Sequence, residues 1–498
     1  MTLVTLDGHG TLYEQLYRSL RAAILSGRTP PGSRLPPTRD LARELGLSRN
    51  TVLAAYSLLR GEGYAAARVG SGTYVSATLP EEFLMARDAG PPSRTSGPPP
   101  PPVLSRYARR LEEPALAAGV TPKRFNGTLY DFAYGRLAYD DFPHEAWNRV
   151  VARTHKRSSV ASLSYGPPEG EAELRREIAA YLGRLRAVQC HPDQVVVVSG
   201  SRQGLNLIVR LLLDPGDLAV LEEPHWDDAR LLMRAAGVRL IGVPVDADGL
   251  RVDRMPAPSS GVRLVYVTPS HQYPTGTVLT LERRLKLLKW AEQASAYVVE
   301  DDYDSEFRYE GRPLEAVQGL DRSGRVLHVG TFSKVMSPAL RLAYLVLPEQ
   351  LVPVFRRAKY LADGHTARNL QFAMADFLRE GHYERRVRRT RARNSERRRT
   401  LLHALDAHFG SGVEVSGANA GVHLLLWLKD LHPREVPSLV DRAADHGVRV
   451  YPANPYYLAE PERAGLLLGY ASMGERQIRS GIERLAGALA EHRERRRG

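Results

Sequence analysis

The sequence predicts an α/β protein, in which a small helical unit precedes a mainly parallel sheet that is covered by helices on both faces. Two observations support this prediction. Apolar residues recur at helical spacing from Leu12 to Leu25, and further helical segments follow before residue 61. From Phe132 onward, short β-rich runs alternate with helical stretches, a pattern that is typical of parallel sheets.

Composition narrows the class of protein. The chain has 498 residues, 43% hydrophobic residues and a net charge of +13, and at roughly 100–200 residues per domain this length allows a few domains. The sequence has neither a membrane-length apolar stretch nor a leader pattern, so we expect a cytoplasmic protein with no membrane partner. The single cysteine, Cys190, excludes an internal disulfide framework. The positive charge indicates either a polyanionic partner, with nucleic acid the first candidate, or solvated surface charge.

Residues 1–78 are predicted to form one unit of three helices and a hairpin. After the first helix, a second is expected over Arg39–Leu45, and Ser48 caps a third that runs to about Gly61. Two short strands are expected near Tyr64–Arg68 and Thr73–Ser76, with a glycine-containing turn between them. This order of elements predicts a winged helix-turn-helix.

The start of the third helix carries the side chains best suited to DNA. In a helix-turn-helix the first residues of the recognition helix meet base edges, where Arg49 suits guanine and Asn50 suits adenine. A phosphate contact is expected at the start of the preceding helix, at Arg39. The predicted DNA-binding residues are Arg39, Ser48, Arg49, Asn50, Thr51, Arg68 and Gly70. The alternative is a small helical domain in which Ser48 serves only as an N-cap.

Four segments of this unit resemble GntR-type winged helices: Leu12–Leu16, Gly32–Arg39, Leu47–Val52 and Gly70–Val75. The resemblance implies that the recognition helix and the wing bind operator half-sites as a dimer.

Residues 79–125 are predicted to be a linker. Gly97 is followed by five prolines, Pro98 to Pro102, a run that favours a stiff polyproline II spacer. The α/β region is expected over 126–490, with a small C-terminal α/β subdomain from about residue 385.

Lys334 follows the apolar segment Arg325–Val329, which is predicted to be a buried strand. A lysine at the mouth of a buried strand can lose its proton and attack an aldehyde. The neighbouring hydroxyls of Thr331 and Ser333, together with Arg341, can hold a phosphate. These features suggest a Schiff base with pyridoxal phosphate.

Other strand ends offer groups for the same cofactor. A helix that begins at Ser201 and Arg202 presents free N–H groups to a phosphate, although a serine N-cap explains it equally well. Trp226 either stacks on a pyridine ring or packs in the core. Asp301 can pair with the pyridinium nitrogen, and the 33 residues from it to Lys334 fit one strand–helix–strand step.

Two tyrosines are predicted near the ring oxygen, Tyr303 after a strand and Tyr273 in a turn. The acidic pair beside Tyr303 is also a candidate for metal binding. Because the sequence nearby holds neither histidine nor cysteine, no metal is predicted. His271, in the turn, is interpreted as structural rather than catalytic.

Residues from about 130 to 490 resemble a fold-type I aminotransferase domain, and the whole chain resembles the MocR subfamily of bacterial regulators. The resemblance implies that Lys334 forms the Schiff base, that Asp301 and Tyr303 contact the ring nitrogen and oxygen, and that Trp226 stacks on the ring. It implies a phosphate site made by Ser201, Arg202, Thr331, Ser333 and Arg341. It also implies that Tyr165 reaches the phosphate of the partner subunit.

The chain departs from aminotransferases at two positions. Tyr273 stands where they carry asparagine, and Leu467 is the residue expected where they carry the arginine that binds a substrate carboxylate. Arg463 lies near Leu467 in the sequence and is the arginine considered in its place. A separate stretch, Arg379–Arg399, holds ten arginines against three glutamates; it is either a solvated helix face or a second DNA-facing strip.

The sequence therefore predicts a transcription regulator that binds operator DNA as a homodimer and senses pyridoxal phosphate or an amine adduct of it. One alternative is an active aminotransferase with an accessory DNA module, which the missing carboxylate arginine disfavours. Another is a DNA-binding protein whose second domain only dimerises, which the intact Lys334, Asp301 and Arg341 disfavour.

Overall fold

The computed structural model describes residues 4–68, 70–80, 102–113, 116, 130–138, 141–157, 163–311 and 314–497. The chain divides into two compact units, Met1–Pro102 and Val103–Gly498. Most of the predicted linker, including prolines 98–101, lies outside the described residues, as does the predicted start of the α/β region at residue 126. The short helix Arg106–Leu111, within the predicted linker, belongs to the second unit.

The first unit has the predicted three helices and hairpin. Its elements are α1 (Leu12–Leu25), α2 (Thr38–Leu45), α3 (Arg49–Gly61), β1 (Ala65–Arg68) and β2 (Gly72–Val75). One apolar face of each helix meets in a common core through Leu16, Leu41 and Val52. Gly46 ends α2 with a positive φ of 65°, and the Ser48 side chain accepts a hydrogen bond from the backbone N–H of Thr51 at 3.0 Å.

The wing is a twisted hairpin that gains support from the chain before α2. Its strands pair antiparallel, with Ala65 opposite Val75. The backbone N–H of Leu35 donates to the Thr73 carbonyl at 2.8 Å. A Cβ at Gly72, whose φ is +117°, would lie 3.0 Å from Nε of Arg34, so a larger residue would disturb this packing.

The second unit alternates helices and strands. Its described helices are α4 (Arg106–Leu111), α5 (His144–Arg157), α6 (Ala172–Arg186), α7 (Ser201–Leu212), α8 (Asp227–Ala236), α9 (Leu281–Ala294), α10 (Val317–Leu320), α11 (Val352–Asp363), α12 (Arg368–Arg379), α13 (His382–Phe409), α14 (Val436–Asp445) and α15 (Glu475–Arg497). Its described strands are β3 (Tyr130–Asp131), β4 (Val195–Val198), β5 (Leu218–Glu223), β6 (Arg239–Asp246), β7 (Gly249–Leu250), β8 (Val262–Val267), β9 (Tyr297–Asp302), β10 (Val326–Thr331), β11 (Ala343–Val346), β12 (Val413–Ser416), β13 (His423–Leu428), β14 (Val448–Arg449), β15 (Tyr451–Pro452) and β16 (Ala464–Gly469).

An eight-stranded sheet in the order β4-β11-β10-β9-β8-β5-β6-β7 forms the centre of this unit. The run from β10 to β6 is parallel. β11 is antiparallel to both of its neighbours, and β7 is antiparallel to β6. The mainly parallel sheet is therefore confirmed. β6 and the direction of β11 were not predicted.

A second, antiparallel sheet in the order β12-β13-β16-β15 lies toward the C-terminus. Leu426 and Leu466 from this sheet share one apolar core with Leu401 of α13 and Ile482 of α15. This is the small α/β substructure that the sequence predicts after about residue 385.

None of the described helices is long and apolar enough to cross a membrane. Cys190 is half-buried, and burial raises the pKa of its thiol to about 11.

The turn between β8 and α9 is held by a buried glutamate at the end of β5. Glu222 accepts hydrogen bonds from the backbone N–H and the hydroxyl of Thr268, at 3.0 and 2.7 Å, and from Gln272 at 3.3 Å. Burial outweighs these bonds and raises the pKa of Glu222 to about 7.

We predict that Glu222 makes the second unit less stable as the pH rises. Its carboxyl has a reference pKa of 4.5 but about 7 in the fold, so the folded state holds the proton more tightly between these values. The free energy of unfolding therefore falls across that range and levels off above it. Glu222→Gln removes this loss, which amounts to about 3 kcal/mol.

Urea unfolding at about pH 5 and about pH 8, followed by tryptophan fluorescence, tests this prediction. All four tryptophans lie in the second unit, so the signal reports that unit alone. Glu349→Gln, at an exposed position, is the matched control. A Glu222→Gln variant with the pH dependence of the wild type would contradict the prediction.

Candidate functional site

The carboxyl ends of β9 and β10 meet at one edge of the main sheet. The two strands pair in parallel with Asp301 opposite Val329, and Lys334 follows shortly after β10. A cavity of about 430 Å³ opens there. Ten predicted cofactor residues line it: Lys334, Asp301, Tyr303, Trp226, Ser201, Arg202, Thr331, Ser333, Arg341 and Tyr273.

Lys334 is half-buried against an aromatic ring. Its Nζ lies 4.4 Å from the centroid of Tyr134, and a Cβ at Gly135 would be only 2.9 Å from it. Burial lowers the pKa of Lys334, although the carboxylates of Asp304 and Asp301 act in the opposite direction. Among the described residues, no carboxylate forms an ion pair with this amine. Burial therefore shifts this lysine toward its neutral, nucleophilic form.

Asp301 offers a carboxyl that lacks a charged partner among the described residues. The hydroxyl of Tyr266 donates to its Oδ2 at 2.6 Å. Burial nevertheless raises the pKa of Asp301 to about 6, because desolvation of the charged form outweighs this hydrogen bond. A cationic N–H group placed beside it would stabilise the charged form, which is what a protonated pyridine offers.

The other end of the cavity presents groups that can hold an anion. The helix α7 begins at Ser201, so its first N–H groups point toward the site. Arg341 Nη2 donates to the carbonyl of Ser199 at 2.8 Å, and a Cβ at Gly200 would lie 2.5 Å from that nitrogen. The hydroxyls of Thr331 and Ser333 are 3.0 Å apart on the same side.

Arg202 differs from the other residues predicted to hold the phosphate, because its side chain has another partner. Its Nε is paired with Oδ2 of Asp228 at 2.6 Å, and its side chain is largely exposed. Its backbone N–H still belongs to the first turn of α7.

Aromatic side chains form the walls of the cavity. Trp226, the N-cap of α8, stacks near Tyr266 with centroids 6.4 Å apart and planes inclined by 25°. The Tyr303 hydroxyl donates to the backbone carbonyl of His271 at 2.9 Å. Nδ1 of His271 lies 3.0 Å from both that hydroxyl and Oδ2 of Asp304, which fixes the position of the Tyr303 ring.

His271, Asp304 and His423 are the described residues that could together hold a metal ion, with ligand atoms within 4.8 Å of one another. Ligands of one zinc ion lie about 3.4 Å apart. The hydrogen bonds that His271 makes to Asp304 and Tyr303 already account for its position. They also agree with the interpretation of His271 as structural.

Three residues that the sequence singled out lie outside the cavity lining. Tyr165 is 91% exposed and contacts the ring of His365. Leu467 is fully buried in β16 and packs beside Tyr273. Arg463 is paired with Glu414 at 2.6 Å and lies over Trp427 at 4.5 Å.

Sequence reasoning missed several lining residues, chiefly Tyr134, Tyr456 and Asp228. A glycine directly after Tyr134 was the one available signal, because Gly135 has a φ of +77° and a Cβ there would lie 2.9 Å from Nζ of Lys334. Asp228 lies in the first turn of α8, where an acidic residue has an ordinary explanation in the helix dipole. Tyr456 lies in an irregular segment and carries no local pattern.

In the first unit, the side chains predicted to meet DNA are accessible. Arg49 and Asn50 are exposed at the start of α3, and Arg39 is exposed on α2. The hydroxyl of Ser48 is 2.8 Å from that of Thr51, so this pair also serves as the helix cap. On the wing, Arg68 stacks over Tyr74 at 4.5 Å, and Gly70 has a φ of +73°.

The arginine-rich stretch of residues 379–399 is structural in part. Arg386 and Arg398 are buried and donate to backbone carbonyls. Five arginines of α13 are exposed: Arg385, Arg388, Arg389, Arg391 and Arg399.

Comparison with known proteins identifies both units. Residues 12–75 match the family model for bacterial regulatory proteins of the gntR family, and residues 129–485 match that for aminotransferase class I and II. The chain is 37% identical to the probable rhizopine catabolism regulatory protein MocR of Rhizobium meliloti, across 98% of this chain and 96% of that protein. It is 33% identical to the HTH-type transcriptional regulator TauR of Rhodobacter capsulatus, across 97% of each.

Among solved structures, the second unit is similar to LysN, an alpha-aminoadipate aminotransferase from Thermus thermophilus complexed with N-(5'-phosphopyridoxyl)-L-leucine. The TM-score is 0.69 with 30% sequence identity, and the match covers 78% of this chain and 97% of that chain.

We predict that Lys334→Ala abolishes covalent attachment of pyridoxal phosphate. Lys334 is the lysine among the described residues that lines the cavity, so the variant leaves no amine there. Borohydride reduction followed by mass spectrometry measures the attachment. The exposed Lys289→Ala is the control and should keep the adduct. Equal labelling of Lys334→Ala and wild type would contradict the assignment.

We predict that Arg49→Ala weakens operator binding by about 1–3 kcal/mol and relaxes base preference, as expected for loss of a bidentate guanine contact. Arg39→Ala should weaken binding to all sequences alike and lower the salt slope. Fluorescence anisotropy with operator and scrambled duplexes separates the two effects. Arg60→Ala, at the other end of α3, is the control. Unchanged affinity of Arg49→Ala would remove Arg49 from the recognition set.

Proposed function

This chain belongs to the MocR subfamily of GntR-type regulators, and on that basis we propose that it controls transcription by sensing pyridoxal phosphate or an amine adduct of it. The observation that carries the proposal is the meeting of Lys334, Asp301 and Arg341 around one cavity. Such a regulator works in the cytoplasm, where bacterial DNA lies.

The residues of the cavity fit the cofactor at three points. Ser201, Thr331, Ser333, Arg341 and the N-terminus of α7 would hold the phosphate. Because the Arg202 side chain is engaged with Asp228, we assign to Arg202 a backbone contact rather than a charge contact.

Asp301 would face the ring nitrogen, Trp226 would stack on the ring, and Lys334 would carry it covalently. When bound, pyridoxal phosphate supplies an aldehyde that combines reversibly with primary amines. Tyr303 would contact the ring oxygen, but its hydroxyl proton would be only partly available to that oxygen, because the hydroxyl donates to the His271 carbonyl.

A homodimer is part of the proposal. Tyr165 is 91% exposed, and Leu163 and Leu361 are exposed by 73% and 83%. Side chains this accessible are available for contact with another protein surface. A second copy would cover them and would place Tyr165 near the phosphate site of the partner.

The alternative of a working aminotransferase is less well supported. A transaminase must hold the carboxylate of its amino-acid substrate, yet Leu467 is apolar and fully buried. Arg463 is occupied by Glu414. The same cavity used as a sensor does not require such an anchor.

A ligand can shift the second unit between two arrangements only if it binds one of them more tightly than the other. The proline run Pro98–Pro102 would transmit such a change to the spacing of the two winged helices of the dimer. Because half-site spacing is a geometric requirement, operator affinity would follow.

We predict that pyridoxal phosphate alone changes operator affinity. The experiment compares apo protein, cofactor-loaded protein and cofactor-treated Lys334→Ala by anisotropy on one operator duplex, with and without a panel of amino acids. The loaded wild type should differ from apo, whereas Lys334→Ala should respond weakly. Identical affinities for apo and loaded protein, with a large change on adding one amino acid, would overturn this hypothesis and make a second ligand the signal.

A further inference from the structure

One side of the cavity is formed by Tyr134, Tyr273 and Tyr456, which we call the tyrosine wall. Of the three, Tyr273 alone is among the predicted cofactor residues. The centroids of Tyr134 and Tyr273 are 4.7 Å apart, and those of Tyr273 and Tyr456 are 5.1 Å apart. Because Lys334 Nζ lies 4.4 Å from the Tyr134 centroid, a ligand amine that reaches the lysine also reaches this wall. Aromatic faces attract cations and pack well on apolar surface.

Every cation that lines the cavity already has a role. Arg341 donates to the Ser199 carbonyl at the anion end, and Arg202 is paired with Asp228 at 2.6 Å. Lys334 is assigned to the cofactor. The described lining residues therefore leave no cation for a ligand carboxylate.

The position where an enzyme would hold that carboxylate is apolar. Leu467 is 0% exposed and packs in one cluster with Tyr273 and Trp427. The guanidinium of Arg463 lies over Trp427 and pairs with Glu414, and it does not line the cavity.

Two carboxylates also line the cavity. Asp227 and Asp228 open α8, and both belong to the cavity lining. Each carboxylate is paired through one oxygen, Asp227 with Arg230 and Asp228 with Arg202. A further carboxylate, brought here by a ligand, would be repelled, whereas hydroxyl or ammonium groups would find hydrogen-bond acceptors.

We propose that the cofactor-loaded protein, beyond its response to pyridoxal phosphate, also binds a small-molecule effector: a primary amine that carries no carboxylate beside its amino group and lays its body against the tyrosine wall. This inference rests on the proposed function, since it names the ligand class of the same site. The cavity of about 430 Å³ must also hold the cofactor, so the effector is a small molecule.

The test uses the full-length, cofactor-loaded protein and matched pairs that differ by the carboxylate: tyramine with tyrosine, histamine with histidine, and putrescine with ornithine. Calorimetry measures the dissociation constants, and visible absorbance reports the lysine-bound cofactor. In each pair that binds, the decarboxylated member should bind at least about tenfold more tightly. Amino acids that bind as tightly as their amines, or failure of all three amines to bind, would overturn the proposal.

Absorbance separates this inference from the proposed function. A protein that never acquires the absorbance of a lysine-bound cofactor would refute the proposed function itself. A protein that has this absorbance but prefers amino acids would refute only the effector class.

Two variants probe the cause of the preference. Asp228→Asn removes a negative charge and releases Arg202, so affinity for amino acids should rise and the gap within each pair should narrow. Asp406→Asn, at an exposed position of α13, is the matched control and should leave the gap unchanged. An unchanged gap in Asp228→Asn would count against the electrostatic argument.

Leu467→Arg should go further and reverse the preference toward amino acids. Because Leu467 is fully buried, circular dichroism must first establish that this variant folds. Tyr456→Ala, at a half-buried position, gives an independent measure. It should weaken tyramine binding several-fold while it keeps the cofactor absorbance. Unaltered tyramine affinity in Tyr456→Ala would remove the tyrosine wall from the site.

Discussion

The candidate site depends on two adjacent strands that run in the same direction. β9 and β10 are parallel strands in which Val298, Val299 and Leu327 are completely buried, and their carboxyl ends lie at the same edge of the sheet. Asp301 and Lys334 therefore lie at the border of an apolar interior, where a charge is costly. Desolvation moves the pKa of both groups toward the neutral form, upward for the acid and downward for the base. The sheet thus sets both the position and the reactivity of the two groups.

Much of the fold could be predicted because the strands of the main sheet are continuous apolar runs. The structure places six strands within two residues of the ends that the sequence predicts, which are Gln194–Ser199, Leu218–Leu221, Arg263–Val267, Tyr297–Glu300, Arg325–Val329 and Leu342–Leu347. β6 was missed because Gly242 and Pro244 interrupt it and most of its residues are only half-buried. The antiparallel direction of β11 could not be read from its own residues, because strand direction is decided by the connection that leads into it.

The candidate site, too, could be predicted from the sequence only in part. Lys334, Asp301 and Arg341 could be found because each belongs to a motif whose chemistry is visible in a few neighbouring residues. Tyr134 and Tyr456 could not, because they reach the cavity from segments far away in sequence and lack such a motif. The partner of Arg202 was equally hidden, since its ion pair with Asp228 exists only once α7 and α8 lie side by side. Local patterns identify the reactive groups, whereas the fold decides what surrounds them.

Cys190 has a practical consequence for the study of this molecule. It is the one thiol in the sequence, it is half-buried, and its raised pKa leaves almost none of it as the reactive thiolate at neutral pH. A cysteine introduced at an exposed position of α3 would therefore react with a maleimide dye or a nitroxide far faster than the native one. Spectroscopic rulers attached there would report the separation of the two recognition helices of the proposed dimer in solution without first removing the natural residue.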